Sequence, residues 1–146
     1  MRPLDNPIAF TVLNEVRSIE HLAQLRLSRT LPEGLTTSQF AVLNHFSRLG
    51  GEKSPAQLAR VFQVTKAAMT NTLTRLEAQG LVRIRPDGND GRKKIVSLTH
   101  KGNEIRVRAV EAAAPVMNQV TQEFGQDRLR QMLPLLRDLR LFLSDF

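Results

Sequence analysis

The sequence predicts a mainly helical chain carrying one small β-hairpin. Three observations lead there. Apolar residues recur at helical spacing through most of the 146 residues. Hydroxyl residues stand at helix starts, twice followed by glutamine three positions on. One stretch, 81–98, instead alternates apolar and polar residues around a tip of glycine, asparagine and aspartate.

The first helix is expected from about Pro7 to Leu31. Ile8, Val12, Val16, Ile19 and Leu22 form its apolar stripe. Leu31-Pro32-Glu33-Gly34 breaks it. Thr36 and Gln39 form a capping box, in which hydroxyl and amide satisfy each other's orphan backbone donors. That helix runs through Phe40, Leu43 and Phe46 to Gly50-Gly51. Ser54-Pro55-Ala56-Gln57 is a second capping box, with proline where its missing N–H costs nothing. The helix it starts is short, ending near Phe62, and Thr65 caps the next. Met69, Leu73 and Leu76 share one face of that helix, and Gly80 stops it.

Leu81–Pro86 and Lys93–Leu98 are the hairpin strands, with Val82 and Ile84 in phase and Val96 and Leu98 in phase. Asp87-Gly88-Asn89-Asp90-Gly91 is the tip. Thr99 caps a long helix, expected to be interrupted or kinked at Pro115. The last helix, from about Gln126, carries Leu129, Met132, Leu133, Leu136, Leu139, Leu143 and Phe146, with Leu135, Leu141 and Phe142 off that stripe. So much apolar surface on a terminal helix argues for a subunit interface.

The order helix, turn, helix, hairpin over 54–102 suits duplex DNA. One helix can enter the major groove while the loop beside it grips the backbone. Charge agrees: residues 65–94 hold seven Lys/Arg against three Asp/Glu, a net +4 of the chain's +7. With Met69 turned inward, Ala67, Thr70, Asn71 and Thr74 cluster on the outward face. Asn71 is suited to read adenine, and Thr70 to hydrogen-bond or touch a thymine methyl. Lys66 and Arg75 flank that face and suit phosphates. The helix starts at Ser54 and Thr65, with Gln57 and Ala68 in their first turns, add free N–H groups and partial positive charge. On the hairpin, Asp90 is expected to orient Arg92 through a bidentate pair. Arg92 then enters the minor groove, while Lys93 and Lys94 hold phosphates.

As a set, these segments resemble the MarR (multiple antibiotic resistance regulator) family of winged helix-turn-helix regulators. Leu58-Ala59-Arg60 leads into Val64-Thr65-Lys66. Arg75-Leu76-Glu77-Ala78-Gln79-Gly80-Leu81-Val82 matches the helix-to-wing junction. Asp90-Gly91-Arg92, then Val96-Ser97-Leu98-Thr99 and Gly102, match the wing and the next helix start. Leu35-Thr36 with Gln39, Val42 and Leu43 matches the helix before the DNA-binding unit. Two departures stand out. Gln63 occupies a turn position where the family often has glycine, and Asn89 replaces a basic residue common at the wing tip.

The resemblance implies one intertwined domain: a DNA-binding region at 35–98 and a helical dimerisation region at 1–34 and 99–146. It implies a homodimer built from the first helix (Ile8 and Val12 on its stripe) and the last two. It also implies a repressor of a pseudo-palindromic operator, with half-sites ~34 Å apart. A small aromatic or anionic effector is a further implication. His21 would then supply a cation, Phe40 an aromatic wall and Asn44 a polar contact.

Other chemistries lack support in the sequence. There is no cysteine, which excludes disulfides, thiolate metal sites and thiol redox sensing. The three histidines form no i, i+4 zinc-type ligand pair, so no metal or cofactor is expected. G-x-S-x-G and G-x-x-x-x-G-K are absent, so an enzyme has no motif behind it. No stretch approaches the ~20 apolar residues of a membrane span, and residues 1–12 lack a secretory pattern. A cytoplasmic location is expected by elimination. A non-specific architectural DNA binder and a winged-helix protein-interaction module remain the alternative readings.

Overall fold

The computed structural model describes residues 7–32 and 34–145. Helix α1 (Ile8–Ser28) is followed by α2 (Thr37–Leu49), α3 (Pro55–Phe62) and α4 (Lys66–Ala78). Strands β1 (Val82–Pro86) and β2 (Lys94–Leu98) come next, then α5 (His100–Gln119). A π-helical turn (Val120–Gly125) leads into α6 (Gln126–Ser144). The chain divides into two compact units, 1–112 and 113–146.

The caps anticipated at Thr36, Ser54 and Thr65 form. Thr36 Oγ1 accepts the Gln39 N–H at 3.1 Å, and Gln39 Oε1 accepts the Thr36 N–H at 3.2 Å. Ser54 and Gln57 repeat this exchange at 3.1 and 2.9 Å. Thr65 Oγ1 accepts the Ala68 N–H at 3.1 Å. Each cap removes orphan donors from a helix start and is worth about 1 kcal/mol.

The core of the first unit lies where α2, α3, α4 and the hairpin meet. Val42, Leu43, Leu58, Leu73, Leu76, Val82 and Val96 are its largest fully buried side chains. Fully burying one such side chain is worth ~1.5–3 kcal/mol. The hairpin pairs Val82 with Leu98 and Ile84 with Val96, the anticipated phase. A third segment, unforeseen, joins it: Lys53 and Val96 exchange backbone hydrogen bonds of 3.1 and 2.7 Å.

The start of α5 is fastened to the end of α4. Thr99 Oγ1 donates to Gly80 O at 2.6 Å and accepts the Gly102 N–H at 3.0 Å. Lys101 Nζ reaches Gln79 O at 3.0 Å, a cation at a helix C-terminus. Gly102 is required by proximity, since a Cβ there would stand 2.0 Å from Leu81 O.

Of the interruption or kink expected at Pro115, no interruption is present. Helix α5 continues through it to Gln119. Proline deprives the Glu111 carbonyl of its donor, but both residues are exposed, so water can satisfy that oxygen. The irregular geometry falls later, at Val120–Gly125, and ends at Gly125 with φ 113°. In α1 and α6 no described residue is buried. Ile8 is 79% exposed, and Val12, Leu136 and Leu143 are 40–46% exposed. Leu129, Met132 and Leu139 are half-buried. Phe146, assigned to the interface stripe, lies outside the described residues.

Two substitutions should act with opposite signs. Gln63 has φ 51° and ψ 45°, the left-handed conformation that glycine takes freely. Its departure from the family's glycine is therefore carried as backbone strain. Gln63→Gly should raise unfolding free energy by about 0.5–1 kcal/mol. Gly102→Ala should lower it by ~1–3 kcal/mol, because the methyl meets backbone rather than a flexible side chain. Urea denaturation midpoints check both.

Candidate nucleic-acid interface

Helix α4 buries Met69, Leu73 and Leu76 at 3, 1 and 0% exposure. With that face held, Ala67, Ala68, Thr70, Asn71, Thr74 and Arg75 all stand exposed, as do Thr65 and Lys66 at the helix start. Short side chains dominate the surface. The Thr74 hydroxyl donates back to Thr70 O at 2.8 Å, and that of Thr72 to Ala68 O at 3.1 Å, which keeps them close to the helix. A backbone approaching this face meets little bulk.

Beside α4 lies a concavity of about 890 Å³. Its walls come from the start of α3 (Ser54, Gln57), from α4 (Lys66, Thr70, Thr74) and from the hairpin (Arg92, Lys93, Lys94). The structure therefore brings together three groups of candidate residues that are separate in the sequence. Lys53 and Arg60 also line it. Sequence reasoning passed over both, although Arg60 lies one helical turn beyond Gln57, on the same face.

The wing tip differs from expectation. Asp90 and Arg92 make no bidentate pair. Asp90 Oδ1 accepts the Arg92 backbone N–H at 3.1 Å, and the guanidinium Nε stands 3.8 Å away. Two residues apart, the carboxylate reaches the backbone donor first and forms a turn-closing bond. The Arg92 side chain is 96% exposed. Lys93 and Lys94 are exposed beside it.

The three effector candidates differ in exposure. His21 is exposed on α1. Phe40 packs against the core, and Asn44 is half-buried on α2. Of the histidines, His100 does form an i, i+4 pair, with Glu104 at 3.0 Å, where sequence reasoning found none. Two exposed groups at a helix start do not make a metal site. Among the described residues, no three His, Cys, Asp or Glu side chains are placed to hold a metal ion.

Comparison with known proteins places this geometry. Residues 33–93 match the model of the MarR family. The transcriptional regulator HosA of Escherichia coli O157:H7 is 32% identical over 111 residues, 76% of this chain and 78% of its own. The chain belongs to the MarR family. The transcriptional activatory protein BadR of Rhodopseudomonas palustris is 37% identical over 75 residues, half of this chain and 43% of that protein. The crystal structure of the transcriptional regulator BldR from Sulfolobus solfataricus superposes with a TM-score of 0.79 at 26% identity, covering 100% of both chains. A mutant MarR from E. coli, complexed with operator DNA, gives a TM-score of 0.79 at 26% identity over 94% of this chain and 98% of that one. As a MarR-family protein with a winged helix-turn-helix fold, the chain is a transcriptional regulator and not an enzyme. Among the described residues, no helix is long and apolar enough to cross a membrane.

One titratable group behind the interface stands apart. His45 on α2 packs edge-on against Phe62 of α3 and Phe46, with centroids 5.6 and 6.3 Å away. Its Nε2 is buried and has no hydrogen-bond partner. Burial first, then the Lys53 and Arg48 charges, lower its pKa below the usual imidazole value. The unfolded chain therefore takes up this proton before the folded one does. Stability is full above the unfolded value of ~6.5 and falls as pH drops below it, until the folded imidazole itself protonates. Denaturation midpoints taken between about pH 7.5 and 5.5, a range that spans the ordinary imidazole value, should fall for the wild type and fall less for His45→Leu. Equal pH dependence would remove His45 from the account.

Proposed function

We propose that the protein is a homodimeric, sequence-specific DNA-binding regulator that reads a pseudo-palindromic operator with α4 and grips its backbone with the wing. The observation that carries this is the joint placement of Thr70 and Thr74 with the cations Lys66, Arg92, Lys93 and Lys94 around one concavity, with Asn71 exposed on the same helix. The face is small and hydrogen-bonding, as base-edge reading requires, and the cations surround it, as phosphate contact requires. The operator complex of the mutant MarR supports the same use of the same fold.

In this reading Asn71 and Thr70 address bases. Lys66, Arg75, Lys93 and Lys94 position the protein on phosphates, as do the starts of α3 and α4 at Ser54, Gln57, Thr65 and Ala68. Arg92, held out from the tip by the Asp90 turn, reaches the adjacent minor groove. The apolar stripes of α1 (Ile8, Val12) and α6 (Leu129, Met132, Leu136, Leu139, Leu143) support the dimer, since none of these residues is buried. Repression, a cytoplasmic location, and modulation by a small aromatic or anionic ligand are carried by family membership. His21, Phe40 and Asn44 are its candidate contacts.

Fluorescence anisotropy on the DNA beside the protein's own gene tests the reading. That DNA should bind more tightly than a scrambled duplex of equal length, and equal affinities would contradict sequence specificity. Asn71→Ala should relax preference at one base position, costing ~1–3 kcal/mol on the preferred site and little elsewhere. Lys93→Ala should weaken all duplexes alike and make the salt slope shallower by about one unit per protomer. The reverse pattern would exchange the two roles.

A further inference from the structure

The basic segment 65–94 contains three carboxylates: Glu77, Asp87 and Asp90. On a surface meant for phosphate, each works against attraction. The structure gives all three the same occupation. Each accepts a backbone N–H of the wing. Asp90 takes that of Arg92 at 3.1 Å, and Asp87 that of Asn89 at 3.0 Å. Both of these are short turn bonds within the tip. Glu77 is different. It sits on α4, and its Oε2 accepts the Ile84 N–H of β1 at 2.8 Å.

The hairpin ladder explains why that N–H is available. Asp87 N–H donates to Lys93 O at 2.8 Å, so the odd-numbered residues of β1 face β2 in hydrogen-bonded pairs. Ile84 lies between them and turns its N–H to the open edge of the sheet. On the other side, Val96 spends its N–H on Lys53 O at 2.7 Å, which confirms the alternation. The β1 edge thus offers an unpaired donor, and Glu77 is the side chain that meets it.

We propose that Glu77 is a positioning residue: its carboxylate ties the wing to α4 and so fixes where Arg92, Lys93 and Lys94 stand relative to the base-reading face. This rests on the DNA-binding reading above. The wing root has other supports, the Lys53–Val96 bridge and the Arg85–Glu52 ion pair, but these join it to the segment before α3. Glu77 joins it to the reading helix itself, and it lines the same concavity as the three wing cations.

Anisotropy titrations over a salt series test this with Glu77→Ala and Glu77→Gln, on the bound duplex and on its scrambled counterpart. Glutamine keeps an acceptor oxygen at the same reach but loses the charge. A positioning role predicts that Glu77→Ala binds the specific duplex at least about tenfold more weakly, with a salt slope shallower by up to about three units per protomer as wing contacts are lost. Glu77→Gln should keep the wild-type slope and stay within about threefold in affinity. If Glu77 acted only as an opposing charge, both variants would bind every duplex more tightly and by similar factors. Equal behaviour of the two variants, or a wild-type slope in Glu77→Ala, overturns the proposal. Hydrogen exchange on the wild-type protein gives a check that needs no variant. The Ile84 amide should be protected despite facing the sheet edge, and free exchange there overturns the proposal too. A wild-type protein that binds no duplex would instead remove the DNA-binding reading, while leaving the exchange result to stand or fall separately.

Discussion

The face that α4 offers to solvent is fixed by the face it buries. Met69, Leu73 and Leu76 leave water against α2, α3 and the hairpin, and none can be turned outward without exposing the other two. Once they are in place, helical geometry alone sends Thr70, Asn71 and Thr74 to the far side. No separate interaction is needed to aim that face. The core that stabilises the first unit also orients the residues proposed to meet DNA, so the proposed reading face and the fold depend on the same contacts.

The wing has the opposite character. Two strands of five residues are marginal by themselves in water. They are held because neighbours complete what the hairpin leaves open. Lys53 pairs with β2, Glu77 with the β1 edge, and Thr99 and Gly102 bring α5 against the strand root. The tip needs a different remedy, since it projects beyond those supports. There, Asp87 and Asp90 close short turns on their own backbone. Their charges reduce the basic potential, but they confine a tip that would otherwise lose entropy on meeting a phosphate backbone.

Local chemistry was legible in the sequence; contacts between distant segments were not. The helix caps could be read because hydroxyl and amide lie within one turn of each other, and the hairpin phase because side-chain alternation has a fixed period. The α4 face followed from three apolar positions. The Lys53 bridge could not be read, because a single residue in a loop carries no period. The Glu77–Ile84 bond spans a helix end, a turn and a strand edge, and depends on which N–H groups the ladder leaves over. The Asp90–Arg92 expectation failed for a local reason: at that spacing the backbone donor is nearer than the guanidinium. Pro115 does not interrupt α5, because a proline removes one hydrogen bond and the freed carbonyl there is open to water. The His100–Glu104 pair was overlooked although its spacing is the ordinary helical one.

The central claim is that two copies of α4 read a symmetric duplex. In vitro selection from randomised oligonucleotides, using the full chain, tests it most directly. The account predicts enrichment of an inverted repeat whose half-sites lie about 10 base pairs apart, centre to centre. Recovery of unenriched sequence, or of a single asymmetric site with no partner half, would contradict it.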